Sequence, residues 1–478
     1  MQDSTDSSGE SMSDPDGTLP RQDLPGGRPG PGFTCVFSNP PVPAAQSAWQ
    51  SARATPGPPP NPDFAARRTS AGWHDLDPRE FDRLRRLVGA AGGKGDGALA
   101  TMSDEQIARS LGVVVTEGGR TQVLAGAVLL FGRPEAVRRH VPQHEAAIQV
   151  IGPETGEPGE PGAPRTRMND FFRWPLLRLT EELLARFRAR NPGREIRYEL
   201  VRTSVPAYAE QAFRELLANA FVHRDYRAVG AVHTQWTSEG IEITSPGGFV
   251  DAGRAPHTSA LSARPPRPRS PLLADAFRRA GITERSGRGI RRAYAAQLAG
   301  GLAGPDFHRS TADCVIAVLP AQEADLPFAH FALGRSYAGS PLELPDLLVL
   351  TTALRDGPLR TADAAELLGT GKEQARRQLT GMVGRGLLAI DGDRGTRVWA
   401  PSPDVRRALR EAASQLRPRP APGPRTSSVP HPTSVPHPTS VPNPASKPNP
   451  ASKPRPASEP RPASGARAAS GAQAAPGI

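Results

Sequence analysis

Cysteine is almost missing from this chain: 478 residues carry two, Cys35 and Cys314, far apart and in different kinds of sequence. So few exclude a disulfide framework and a cysteine-built zinc site, and they fit a reducing cytoplasm. Aromatic residues amount to 5% and hydrophobic residues to 37%, so a good part of the chain cannot enter a packed core. No apolar run approaches the ~18 residues a membrane helix needs. The longest candidate, 123–131, reads as a buried strand or a short helix. The N-terminus is acidic and polar, without the basic-then-apolar order of a secretory signal. G-x-x-x-x-G-K-[ST] does not occur, which excludes a helicase motor of the P-loop type.

Proline and arginine are what the chain has in abundance. There are 54 Pro and 48 Gly, and 59 Lys+Arg against 48 Asp+Glu give +11 and a pI near 10.4, a balance that favours polyanionic partners such as nucleic acid. Residues 1–72, with runs such as PGGRPGPG, read as a disordered segment. So does the tail 403–478, where a six-residue repeat decays from TSVPHP through ASKPNP and ASEPRP to ASGAQA. Its prolines preclude helix and sheet and leave a basic tether, a weak binder of anionic partners.

Between these ends the chain reads as α/β. Pro78 opens a helix over EFDRLRRLV, and Ser103 with Gln106 three residues on caps a second. TQVLAGAVLLFG and HEAAIQVIG look like strands, Thr166 to Arg190 like one long helix, and 321–344 like a linker. The densest signal runs from Glu210 to Val250. Phe213, Leu216, Leu217, Ala220 and Phe221 fall at i, i+3, i+4, i+7 and i+8, the stripe of a packed helix. Glu215 and Asn219, four apart, stack a carboxylate and an amide beside that stripe. AVHTQWT and IEIT alternate as the strands of a hairpin turning at Ser238-Glu239-Gly240, and the second strand runs into Ser245-Pro246-Gly247-Gly248. A further glycine pair, Gly287 and Gly289, opens a basic helix after another at 272–280 stopped by Gly281.

The order of these pieces, E-x-x-x-N helix, hairpin, Gly-Gly, then SGRGIRR, resembles the nucleotide-binding core shared by gyrase, the large heat-shock chaperone, histidine kinases and MutL, the GHKL superfamily. FRELLANAFVHRDY, IEITSPGGF and SGRGIRR are similar to a bacterial branch of ATP-binding transcriptional regulators often labelled helicase-related, over roughly residues 76–400. The resemblance implies a GHKL-like α/β sandwich at 201–320 after an α/β lead-in at 73–200, with ATP and Mg²⁺ as cofactors. Asn219 then matches the Mg²⁺ ligand, and Glu215 the carboxylate that orients or deprotonates the attacking water in hydrolysing members. Gly247, Gly248, Gly287 and Gly289 match the two boxes whose backbone meets phosphate. Ser245 stands where the superfamily usually has an aspartate that binds the adenine amino group. The Schlafen-type AlbA module that usually comes first is not visible, so either it is lost or the biological start differs; no nucleic-acid role carries over from it. His223-Arg224-Asp225-Tyr226 looks like a kinase catalytic loop, but no glycine-rich loop, strand lysine or DFG accompanies it.

Residues 345–402 follow the pattern of a winged helix-turn-helix: three short helices, then LLAIDGDRGTRVWA as a two-stranded wing. Lys372, Gln374, Arg376, Arg377 and Gln378 fall on the recognition helix, Arg394 and Arg397 in the wing, where Arg and Lys suit phosphate and Gln suits base edges of double-stranded DNA. The leading expectation is a cytoplasmic regulator whose nucleotide state alters DNA affinity or homodimerisation. The alternatives are a GHKL-type ATPase whose hydrolysis is the main activity, and a non-catalytic interaction scaffold with a degenerate pocket.

Overall fold

The computed structural model describes residues 62–152, 165–198, 201–249, 267–283, 288–393 and 397–416. Gly287, Arg394, the hexapeptide repeats and residues 1–61 lie outside them. The segment expected to be disordered up to 72 holds structure at its end: a 3-10 turn at Phe64–Ala66 follows Asp63, whose carboxylate accepts hydrogen bonds from Ser270 Oγ (2.7 Å) and Leu272 N (3.0 Å).

A helical lobe comes first. In α1 (Pro78–Ala90), Asp77 caps the amide of Arg79 and Pro78 takes the first turn, where its missing N–H costs nothing. Helix α2 (Asp104–Ser110) carries the Ser103/Gln106 capping box. A short hairpin, β1 (Val114–Glu117) with β2 (Arg120–Val123), leads into α3 (Ala125–Phe131) and α4 (Pro134–His140). Only the start of TQVLAGAVLLFG is therefore a strand. All seven residues of α3 are buried, and a helix buried on every side shows no period that would tell it from a buried strand.

Next comes a five-stranded sheet in the order β4-β3-β7-β8-β9, made of β3 (Ala146–Gly152), β4 (Arg165–Phe172), β7 (Val232–Thr237), β8 (Gly240–Pro246) and β9 (Cys314–Pro320). Neighbours are antiparallel except β3 and β7, which run parallel with Ala146 opposite Val232 and Val150 opposite Trp236. The expected helix from Thr166 splits into edge strand β4 and α5 (Leu176–Arg190), with Pro175 at the helix N-cap. Pairing with β3 turns Asp170 and Phe172 toward Arg186 of α5 and leaves Phe171 59% exposed. A small hairpin, β5 (Gly193–Tyr198) and β6 (Val201–Pro206), follows α5.

The helix foreseen around Glu215 is α6 (Glu210–His223), and every residue of its predicted stripe is buried. It packs on β8 and β9 between α5 and α8 (Gly289–Ala299), with Phe213 stacked on Phe187 of α5 at 4.3 Å between ring centres. Helix α7 (Pro271–Arg279), capped by Ser270 and stopped at Gly281 with φ +75, matches its expectation closely.

The stretch 321–344 holds a helix, α9 (Leu326–Tyr337), started by Asp325 capping Phe328 N. Then come α10 (Leu344–Arg355), α11 (Thr361–Leu368), α12 (Lys372–Gly384), the antiparallel hairpin β10 (Leu388–Asp391) and β11 (Val398–Pro401), and α13 (Pro403–Leu416). Helix α13 falls in the segment expected to be disordered. It packs against α9, while α10 packs against α8. Asp346 at the start of α10 is 2% exposed and receives both Nη atoms of Arg385 at 3.0 and 2.5 Å.

Candidate functional site

The face of α6 that carries Glu215 and Asn219 meets the first turn of α8. Glu215 is 4% exposed and Asn219 half-buried. A Cβ built on Gly289 would stand 2.5 Å from Glu215 Oε2 and 3.7 Å from Asn219 Nδ2, so a side chain at 289 would displace the Glu215 carboxylate from its place. Arg292, one turn further along α8, places Nη1 3.7 Å from Glu215 Oε1. Three of the proposed site residues, separated by some seventy positions in sequence, thus share one junction. Arg292 was not singled out in the sequence, though an unbalanced basic turn, R-G-I-R-R, was there to be noticed.

The other glycine pair is placed differently. Gly247 takes φ +95 and Gly248 follows, in the turn that leaves β8. The amide of Gly247 donates to Asp313 O at 2.7 Å, and the carbonyl of Gly248 accepts from Arg269 Nη2 at 2.7 Å. Arg269 Nε also donates to His223 O at 3.0 Å, and Nη1 lies 3.8 Å from Asp225. One guanidinium therefore ties the end of α6 to the glycine turn. Ser245 is 4% exposed and its hydroxyl donates to Ala220 O of α6 at 2.8 Å, a use that fastens strand to helix.

The His223-Arg224-Asp225-Tyr226 motif also serves attachment. Arg224, 1% exposed, donates from Nη2 to Gln143 O (2.6 Å) and to Gly230 O, and Tyr226 donates to Phe221 O at 2.9 Å. Burial, and next the Arg224 charge, holds the imidazole of His144 down to about 3; its Nε2 lies 2.9 Å from Trp174 O. Burial, and next the Arg269 charge, holds His223 down to about 4.

A family model matches this region. Its description reads "Putative ATP-dependent DNA helicase recG C-terminal", and it covers residues 231–318, from β7 through β9. An ATPase-like domain is what this match supports, and it includes Ser245, Gly247, Gly248, Gly287 and Gly289, while Glu215 and Asn219 lie just before it. Among solved structures, the DIP2311 protein from Corynebacterium diphtheriae is similar in fold, with a TM-score of 0.58 and 23% identity over 73% of this chain and 66% of that one. The chain thus spans just under two thirds of that protein's length. No curated protein matches.

On α12, Lys372, Gln374, Arg376 and Arg377 are exposed and Gln378 is half-buried, with Ala375 and Leu379 forming the inward side. Arg397, just ahead of β11, is half-buried. No helix among the described residues is long and apolar enough to cross a membrane.

Proposed function

We propose that the junction of α6 and α8 binds ATP with Mg²⁺, and that the unit from α10 to β11 is a winged helix that binds double-stranded DNA under control of that nucleotide. The observation that carries the first half is the convergence of Gly289 on Glu215 and Asn219. It brings the glycine that starts α8 to a carboxylate and an amide in the order the resemblance calls for, beside a stretch that matches an ATPase-like family model. Among the described residues no group of three or more His, Cys, Asp or Glu side chains is placed to hold a metal by itself. That suits Mg²⁺, which keeps several waters and is commonly carried by substrate phosphates with one or two protein ligands. Asn219 would supply the protein ligand, and the ion would neutralise phosphate charge. In the enzymatic version of this reading, Glu215 would face the attacking water. Ser245 would reach the base only after giving up Ala220 O.

Calorimetric titration of the full chain with a non-hydrolysable ATP analogue and Mg²⁺ tests this half. Binding weakened about tenfold or more in Asn219→Ala is expected, because the amide holds the metal on the phosphates. A wild-type chain that takes up no nucleotide would sink the reading and favour an interaction scaffold.

The DNA half is supported by the exposed row Lys372, Arg376 and Arg377 on α12, followed by a hairpin. Fluorescence anisotropy at ~50 mM salt should detect duplex binding that weakens with salt, with each lost phosphate contact reducing the slope by about one. Arg376→Ala with Arg377→Ala is expected to weaken it about tenfold across sequences. Binding insensitive to both salt and these changes would remove DNA from the account.

A further inference from the structure

The first turn of α8 is charged the wrong way for a helix left to itself. Arg288 stands at its N-cap without a side-chain cap, Arg291 and Arg292 follow, and no acidic residue lies in that turn. The positive end of a helix dipole disfavours cations and favours anions. Burial, and next the Arg288 charge, lowers the proton affinity of Arg291. Facing this turn is Glu215, 3.7 Å from Arg292 Nη1, with side chains 5% and 22% exposed respectively. Its Oε2 lies 2.5 Å from where a Gly289 Cβ would stand. A carboxylate thus fronts this basic helix start, and it is the one proposed to face water.

We infer that Arg292 is the phosphate-sensing residue of this site: paired with Glu215 in this structure, it moves to the phosphate chain of a bound nucleotide and so releases Glu215 to water. This rests on the nucleotide-binding reading above. A Mg²⁺-bound triphosphate is still net negative and offers Arg292 several oxygens where Glu215 offers two, and guanidinium binds phosphate well through paired N–H donors. With Arg292 moved, Glu215 would turn toward the attacking water. The exchange takes place on α8, which packs against both α6 and α10, so it acts on the first helix of the unit proposed to bind DNA.

The test is calorimetric titration of the full chain with the non-hydrolysable ATP analogue and Mg²⁺, and separately with inorganic tripolyphosphate and Mg²⁺, using wild type, Arg292→Gln and Arg292→Lys. Expected is a loss of about tenfold or more for both probes in Arg292→Gln, with Arg292→Lys within roughly threefold of wild type, since a lysine keeps the charge and part of the contact. Circular dichroism confirms that each variant is folded. A folded Arg292→Gln that binds both probes as tightly as wild type overturns the inference and leaves nucleotide binding standing. Equal losses in both variants together with altered circular dichroism assign Arg292 a structural role only, and also overturn it. A wild type that binds neither probe overturns the nucleotide reading itself.

Discussion

Gly248→Ala is expected to lower stability by about 3 kcal/mol, the upper part of the range for overpacked positions, and the melting temperature by on the order of 5 °C. An added Cβ would stand 2.2 Å from Ala312 O and 2.7 Å from Ala312 C, with Thr311 O at 3.0 Å. All three atoms are backbone, in the turn that feeds β9, so no rotamer can relieve the contact. Relief requires the β8–β9 end to open, which breaks the Gly247 N to Asp313 O bond and the hold of Arg269 on Gly248 O. Gly381→Ala is the control: it sits within α12 with nothing inside 4 Å of a new Cβ. There alanine should stabilise by about 0.5–1 kcal/mol through helix propensity. Thermal unfolding of the two variants beside wild type checks both signs. Equal melting temperatures for Gly248→Ala and wild type would show that the 311–313 turn yields easily.

Acid should weaken the fold well above the range where carboxylates titrate. His144 is fully buried and neutral, with its folded value down at about 3 against an ordinary 6.5. Between those values only the unfolded chain takes up the proton, so this residue's contribution is intact above about pH 6.5 and is lost as pH falls toward 3. The slope approaches about 1.4 kcal/mol per pH unit, or about 2 kcal/mol between pH 6.5 and 5. His223, held at about 4, adds a loss of the same sign. Urea unfolding at pH 7 and pH 5 should show the difference in wild type and a smaller one in His144→Gln, whatever the variant's stability at pH 7. An identical pH 7 to pH 5 difference in both would assign the acid sensitivity elsewhere.

Local chemistry was legible in the sequence where it decided structure by itself. The stripe of α6, the Ser103/Gln106 box and the Pro271 start with its Gly281 stop all concern residues within a turn of one another, and each appears where expected. What stayed hidden depends on distant partners. Residues 165–172 carry apolar side chains at positions that suit a helix, and only the pairing with β3 makes them a strand. Helices α9 and α13 lie in stretches whose composition suggests linker and tail, and each is covered by the other. The same holds at the site. E-x-x-x-N announced Glu215 and Asn219, but Arg292 gains its place only because α8 crosses α6 at Gly289. Adjacent glycines at 247 and 248 suit either the close approach of a ligand or a positive φ; the structure gives Gly247 φ +95 and brings protein backbone close to both.

The parallel seam between β3 and β7 sets a schedule for the newborn chain. Strand 146–152 has β4 on one side soon after synthesis, but its other edge waits for residues 232–236. Until then the ribosome-bound half displays an open strand edge, the kind of surface that recruits other chains. The converse holds for a fragment cut to residues 231–318: it would keep three strands, lose α6 that packs on β8 and β9, and bare the β7 edge. The ATPase-like stretch is thus recognisable as a unit in sequence, while the sheet and the helix that packs on it extend beyond its N-terminal boundary.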